Sequence, residues 1–165
     1  MSGLLSISLV AYTGVIPVME KIITKDKGDI GVACIIADLT KNGIKVALPI
    51  SEHLPFDLIA IDGDGKLSRV SVKYLSKDRV GTLQIPLRTI SSNSQGYKIK
   101  HVDRSVVDAF AIYCPDTAKC YYLHQSSLGD TKNAFSLRID QPTLQVRSNQ
   151  INWAKDYELC SVLFK

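Results

Sequence analysis

A chain of 165 residues, 45% hydrophobic and 22% charged, has the size and composition of one globular domain with a genuine core, which excludes an intrinsically disordered or fibrous chain. The formal net charge is only +4, from 20 Lys and Arg against 16 Asp and Glu, so the distribution of charge is more informative than its total. The four cysteines, Cys34, Cys114, Cys120 and Cys160, include no CxxC pair and no Cys/His grouping of zinc spacing, which argues against a structural zinc and predicts reduced, mostly buried thiols.

The amino terminus opens on an apolar stretch, Leu4 to Val18, that lacks a basic leading region, contains Gly14 and Pro17, and falls short of the roughly 20 residues a spanning helix needs. It is read as neither signal nor anchor. Residues 1–19 are expected to form an accessory strand or an extension ahead of a start at Met19, and 20–165 a single domain. The lack of targeting signals favours the cytoplasm of a prokaryotic, archaeal or phage setting.

Gly28 to Lys41 reads as an amphipathic helix with Ile30, Ala33, Cys34 and Ala37 at helical spacing and Asn42-Gly43 as its stop. Asp29 falls in the expected first turn, where the helix dipole favours negative charge. Ile44 to Leu48 is predicted as the first strand, ended by Pro49.

Phe56 to Ile61 is a buried apolar strand, Asp62 to Gly65 an Asp-Gly turn, and Leu67 to Tyr74 an alternating return strand. In the return strand Leu67, Arg69, Ser71 and Lys73 share one face while Val70 and Val72 take the other. The hairpin brings Asp57 beside Lys73. A carboxylate next to an ammonium on a sheet face is a minimal kit for holding a metal ion and steering a water at a phosphodiester. A plain surface ion pair between them is the simpler alternative.

Thr82 to Ile90 alternates Leu83, Ile85 and Leu87 and is interrupted by Pro86, which suits an edge strand. Ser91 to Gly96 reads as a polar loop leading to a strand from Tyr97 to His101. Val107 to Tyr113 and Cys120 to Leu123 form a hairpin about Pro115-Asp116, across which Cys114 and Cys120 would face each other. Phe135 to Ile139 is a further strand, and Gln150 to Leu159, with Trp153 and Tyr157 four apart, a short helix. His53, His101 and His124 form no triad with a nucleophile, although His53 lies close to Asp57. From Lys66 to Arg104 the chain carries Lys66, Arg69, Lys73, Lys77, Arg79, Arg88, Lys98, Lys100 and Arg104 against only Asp78 and Asp103. That block reads as a phosphate-facing surface, with Arg69, Tyr74, Lys77, Arg79, Arg88, Lys98 and Lys100 as candidate DNA contacts, Tyr74 among them at the edge of the site.

The order of Lys27-Gly28-Asp29-Ile30-Gly31, Ala37-Asp38-Leu39, Asn42-Gly43, Val46 to Pro49, Pro55-Phe56-Asp57-Leu58-Ile59, Val70-Ser71-Val72-Lys73 and Val107 to Pro115 resembles the PD-(D/E)xK nucleases, most of all their group I intron-associated homing endonucleases. The resemblance implies an α/β fold with a mixed central sheet flanked by helices, a restriction-endonuclease-like core. It implies a site-specific endonuclease hydrolysing double-stranded DNA with Mg²⁺, or Mn²⁺ in its place, as a homodimer or homotetramer. Asp57, Ser71 and Lys73 would be catalytic, and Asp57 with Asp29 would serve the metal. The interface would involve the amino-terminal stretch or the segment around Trp153 and Leu163. Where the superfamily carries Glu or Asp two residues before the lysine, and its homing members often Gln, this chain has Ser71, which brings a hydroxyl and no charge. Two alternatives stay open at this point: a restriction or repair nuclease of the same fold, and a cleavage-deficient module that binds DNA or a partner.

Overall fold

The computed structural model describes residues 23–93, 96–131, 133–142 and 151–165. The amino-terminal extension, Ser94-Gln95 and Gln150 lie outside them.

Helix α1 spans Thr24–Lys41. Asp26 stands in its first turn and Lys41 in its last, each complementing the dipole. Asn42 stops the helix as its spacing predicts: its backbone N–H reaches the Asp38 and Leu39 carbonyls and its side-chain amide donates to Asp38 O at 2.8 Å, and Gly43 follows at φ +78°. Because α1 begins four residues ahead of Gly28, Asp29 is not in the first turn. The buried face is Gly31, Ile35 and Leu39, while Ala33 and Ala37 are exposed, so the apolar face expected from Ile30, Ala33, Cys34 and Ala37 is rotated. The reason is Gly31. A Cβ there would lie 3.3 Å from Tyr74 Cβ and 3.6 Å from Val72 Cγ1, so the helix rests directly on the sheet at a residue that hydropathy does not flag.

Strands β1 (Lys45–Ala47), β2 (Leu58–Ile61), β3 (Leu67–Tyr74), β7 (Ala109–Cys114) and β8 (Lys119–His124) form one mixed sheet in the order β1-β2-β3-β7-β8. Its central pair, β3 and β7, is parallel and its other pairs are antiparallel. Alternation along the strands separates two cores. Val70, Val72, Ala109, Ala111 and Tyr122 join Ile35 and Leu39 of α1, the small Ala109 and Ala111 giving the helix room. Phe110, Ile112, Tyr121 and Leu123 point the other way and pack against a two-stranded sheet of β4 (Thr82–Pro86) and β9 (Ala134–Arg138), whose Leu83, Ile85, Phe135 and Leu137 are buried. The expected mixed α/β sheet is therefore present. Among the described residues one α-helix flanks it and the small sheet covers its second face.

Four further expectations change. The strand expected over Thr82 to Ile90 is two: β4 ends at Pro86, which has no N–H to carry the ladder on, and Leu87 turns the chain into β5 (Arg88–Asn93). Ser91 to Asn93, expected as loop, belong to β5, which pairs with β6 (Gly96–His101) in a ribbon whose β6 strand is exposed along its whole length. Its base is tied by Val102 N–H to Leu87 O and Leu87 N–H to Asn133 O, both 2.9 Å. The predicted carboxy-terminal helix is instead two 3₁₀ turns, Ala154–Tyr157 and Cys160–Phe164, with Leu163 buried in the α1 core. Cys114 lies opposite Lys119 and Cys120 opposite Tyr113, so these cysteines do not face each other, and all four thiols are free.

Candidate active site

The β2–β3 turn is built by its own residues. Asp62 Oδ1 accepts the N–H groups of Asp64 (3.0 Å) and Lys66 (2.8 Å), and Gly65 takes φ +83°. This fixes the register of Leu58 against Val70 and Ala60 against Ser68. Along β3 the odd-numbered backbone groups turn toward β7, as the exchange between Arg69 and Asp108 shows, and the even-numbered ones toward β2. Asp57 N–H donates to Val70 O at 2.9 Å, and there the β2 ladder ends. Val72 N–H, next in line, has no strand beside it. Asp57 Oδ2 accepts it at 2.6 Å, and Ser71 Oγ donates to the same oxygen at 3.3 Å.

Asp57 is thus placed over the open edge of β3 and held on Ser71. No ion pair joins Asp57 to Lys73 among the described residues, so the simple surface salt bridge is not what the hairpin makes. Ser71 and Lys73 look away from α1 into a cleft of about 400 Å³ whose other walls are His53 and Pro55, ahead of β2, and Lys100, His101 and Asp103, at the base of the ribbon.

A family model described as PD-(D/E)XK endonuclease matches residues 22–160. The chain belongs to the PD-(D/E)XK endonuclease family. Among solved structures it is similar to a bacterial homing endonuclease, I-Ssp6803I, with a TM-score of 0.64 and 20% sequence identity over 81% of this chain and 87% of that one. A search of curated proteins found no match.

Endonucleases of this family generally use divalent metal ions, and the donors at the cleft fit a hard cation. Asp57 is exposed, its Oδ1 accepts no hydrogen bond from a described residue, and one carboxylate with bound waters satisfies Mg²⁺. No group of three His, Cys, Asp or Glu residues is close enough to share an ion among the described residues. Asp29 is exposed and stands about 200° around α1 from Gly31, the residue that touches β3. The helix also covers the sheet face opposite Ser71 and Lys73. The geometry therefore does not turn Asp29 toward the hairpin as expected.

The other anticipated residues of this endonuclease divide. Arg69 shares the face of Ser71 and Lys73, but its guanidinium is committed to Asp108 by Nε to Oδ2 and Nη2 to Oδ1, both 2.8 Å, and by Nη2 to Ser105 O at 2.9 Å. The hydrogen-bonded guanidinium holds the Asp108 carboxyl below the usual carboxylate range. Tyr74 lies on the α1 side, its ring edge-on to Tyr113 at 5.7 Å, rather than at the cleft. Lys77 pairs with Asp140 at 2.8 Å. Arg79 is exposed in the turn before β4, Arg88 opens the ribbon, and Lys98 and Lys100 lie on its exposed strand. No local sequence pattern marks the cleft's ribbon wall, Asp108 as the partner of Arg69, or the convergence of His53 with His101. Only the nearness of His53 to Asp57 along the chain hinted at the last.

Proposed function

We propose that this endonuclease is a divalent-metal-dependent, site-specific enzyme of the homing type, hydrolysing phosphodiesters of double-stranded DNA in the cleft between β3 and the ribbon. The observation that carries the reading is Asp57 fixed at the open edge of β3, with Ser71 bonded to it and Lys73 one pleat further into a cleft walled by Lys100. The fold similarity to a bacterial homing endonuclease supports the homing type.

Asp57 would hold Mg²⁺, or Mn²⁺ in its place, through its free oxygen. The bound ion would supply Lewis-acid polarisation of the phosphate and a lowered pKa of bound water. Ser71, by donating to Asp57 Oδ2, keeps the other oxygen turned outward without adding charge. Lys73 orients the attacking water and offsets charge that develops on the phosphate. A two-stranded ribbon fits the DNA major groove, and Arg88, Lys98 and Lys100 on it, with Arg79 in the turn before β4, are the proposed phosphate and base contacts. A long target read by a chain of this size calls for a symmetric dimer or tetramer. Leu163 is in the core and does not contribute to such an interface.

The charge-free Ser71 favours one second reading, a DNA-binding module without cleavage. Purified protein incubated with plasmid in Mg²⁺ and in Mn²⁺, beside Ser71→Glu, separates them. Cutting by the wild type supports the enzyme. A salt-sensitive gel shift with no cutting, and cutting restored by Ser71→Glu, supports the module.

A further inference from the structure

The cleft holds two imidazoles that neither the metal-binding acid nor the lysine accounts for. His53 comes from the connection between β1 and β2, four residues before Asp57, and His101 from the end of β6. The fold brings them together with Ser71 and Lys73 from residues far apart in the chain. They differ in their surroundings. His101 is not without a partner, and it lies opposite Arg88 in the ribbon. The His53 side chain is exposed and makes no hydrogen bond with a described residue, its backbone N–H alone being tied, to Ser51 Oγ at 3.3 Å. The other charged groups facing the cleft are Lys73 from β3, Lys100 from β6 and Asp103 just beyond it, with Asp57 at the β3 edge.

Resting on the nuclease reading above, we infer that His53 is the general acid of the reaction, delivering a proton to the sugar oxygen that leaves the scissile phosphate. Water attacks phosphorus and a new P–O bond forms. The bond to the leaving sugar oxygen breaks, its electron pair stays on that oxygen, and His53 protonates it. The attacking water gives its own proton to solvent, and the neutral imidazole takes one back from solvent. Water, diester and imidazolium thus become a phosphate monoester, a free sugar hydroxyl and imidazole, with one proton released. An imidazole suits this role because one ring nitrogen can give up a proton and take it back within a catalytic cycle, and of the two in the cleft His53 is the nearer to Asp57 along the chain.

The test is plasmid nicking in Mn²⁺ by the full chain between about pH 6 and pH 9, comparing wild type, His53→Gln and His101→Gln. DNA retention is measured in parallel by gel shift. The expected result is a loss of about a hundredfold for His53→Gln at the acid end with unchanged DNA binding. The ratio of wild-type to His53→Gln rate should then fall as pH rises, while His101→Gln keeps the pH dependence of the wild type. Nicking by His53→Gln at the wild-type rate throughout overturns the inference. So does a pH-independent loss matched by weaker DNA binding, or transfer of the pH effect to His101→Gln. A wild type that nicks at no pH removes the nuclease reading itself, and the inference with it.

Discussion

Asp57 Oδ2 accepts the Val72 N–H at 2.6 Å, so a side chain occupies the place along β3 where β2 would have continued. Pro55 has no N–H to extend that ladder, and the exposed edge it leaves is where the acid sits. The same contact serves structure and chemistry, and the two separate by mutation. Asp57→Asn keeps an acceptor for Val72 N–H and is expected to melt within about 0.5 kcal/mol of wild type. Asp57→Ala is expected to cost about 1 kcal/mol, since water can reach the freed N–H. Both should lose cleavage by about a hundredfold or more. Urea melts beside a nicking assay check the pair.

The Arg69–Asp108 pair pins the start of the parallel β3–β7 ladder on the face that carries Ser71 and Lys73. Asp108→Ala removes three acceptor contacts, to Nε, Nη2 and the backbone N–H of Arg69, and is expected to cost about 2 kcal/mol at neutral pH, the partial exposure of the pair holding it at that level. Because the folded-state carboxyl of Asp108 titrates below its unfolded value, this stability is fully present above the ordinary carboxylate range and is lost as pH falls through the folded pKa. Urea midpoints of wild type and variant should therefore converge in acid and stand apart at neutral pH.

Gly31 is where α1 touches β3, with Tyr74 Cβ 3.3 Å from the position a Cβ would take. Gly31→Ala gains helix propensity of about 1 kcal/mol and gives it back in crowding, so its melting temperature should change little. Gly31→Val should destabilise by about 1–3 kcal/mol and, by displacing β3, reduce nicking more than DNA binding. Thermal melts with parallel gel shifts decide this.

Alkaline stability is the fourth test. Burial, with the nearby Asp38 carboxylate adding to it, pushes the Cys120 thiol up to about 12, and burial with the hydrogen bond to Asp38 raises the Tyr122 hydroxyl as well. Tyr122 donates to Asp38 Oδ2 at 2.5 Å. Both groups keep their protons in the folded state where the unfolded chain releases them. Their contribution is complete below the ordinary thiol range and declines as pH rises through and above it. The urea midpoint should drop from about pH 8 to about pH 10.5, and less steeply in Tyr122→Phe, which has no hydroxyl to titrate.

The alternation of Leu67 to Tyr74, the Asp62 turn and the Asn42-Gly43 stop were readable from sequence because each rests on local chemistry with a fixed period or φ. The hairpin of Val107 to Leu123 was readable for the same reason. The ribbon was not. β6 is exposed on both faces, so no burial pattern marks it, and the serines and asparagine of β5 carry the composition of a loop. The buried face of α1 escapes a hydropathy pattern because its closest contact is made by a glycine. At the site, sequence placed Asp57, Ser71 and Lys73 on adjoining strands but not their register. Asp57 lies against Ser71 and Val72 rather than Lys73, because Pro55 ends the ladder early. Arg69, grouped by charge with the DNA contacts, proved to be held by Asp108, a pairing between residues 39 apart that no local pattern announces.

The most direct test of the central claim is a plasmid-cleavage assay with purified protein in Mg²⁺ and in Mn²⁺, run beside Asp57→Ala and Lys73→Ala, with binding followed on the same samples. The predicted result is metal-dependent cutting by the wild type that disappears in both variants while a salt-sensitive gel shift persists. Cutting that survives in both variants, or a wild type that shifts the plasmid and never cuts it, would contradict the assignment of the cleft as the active site.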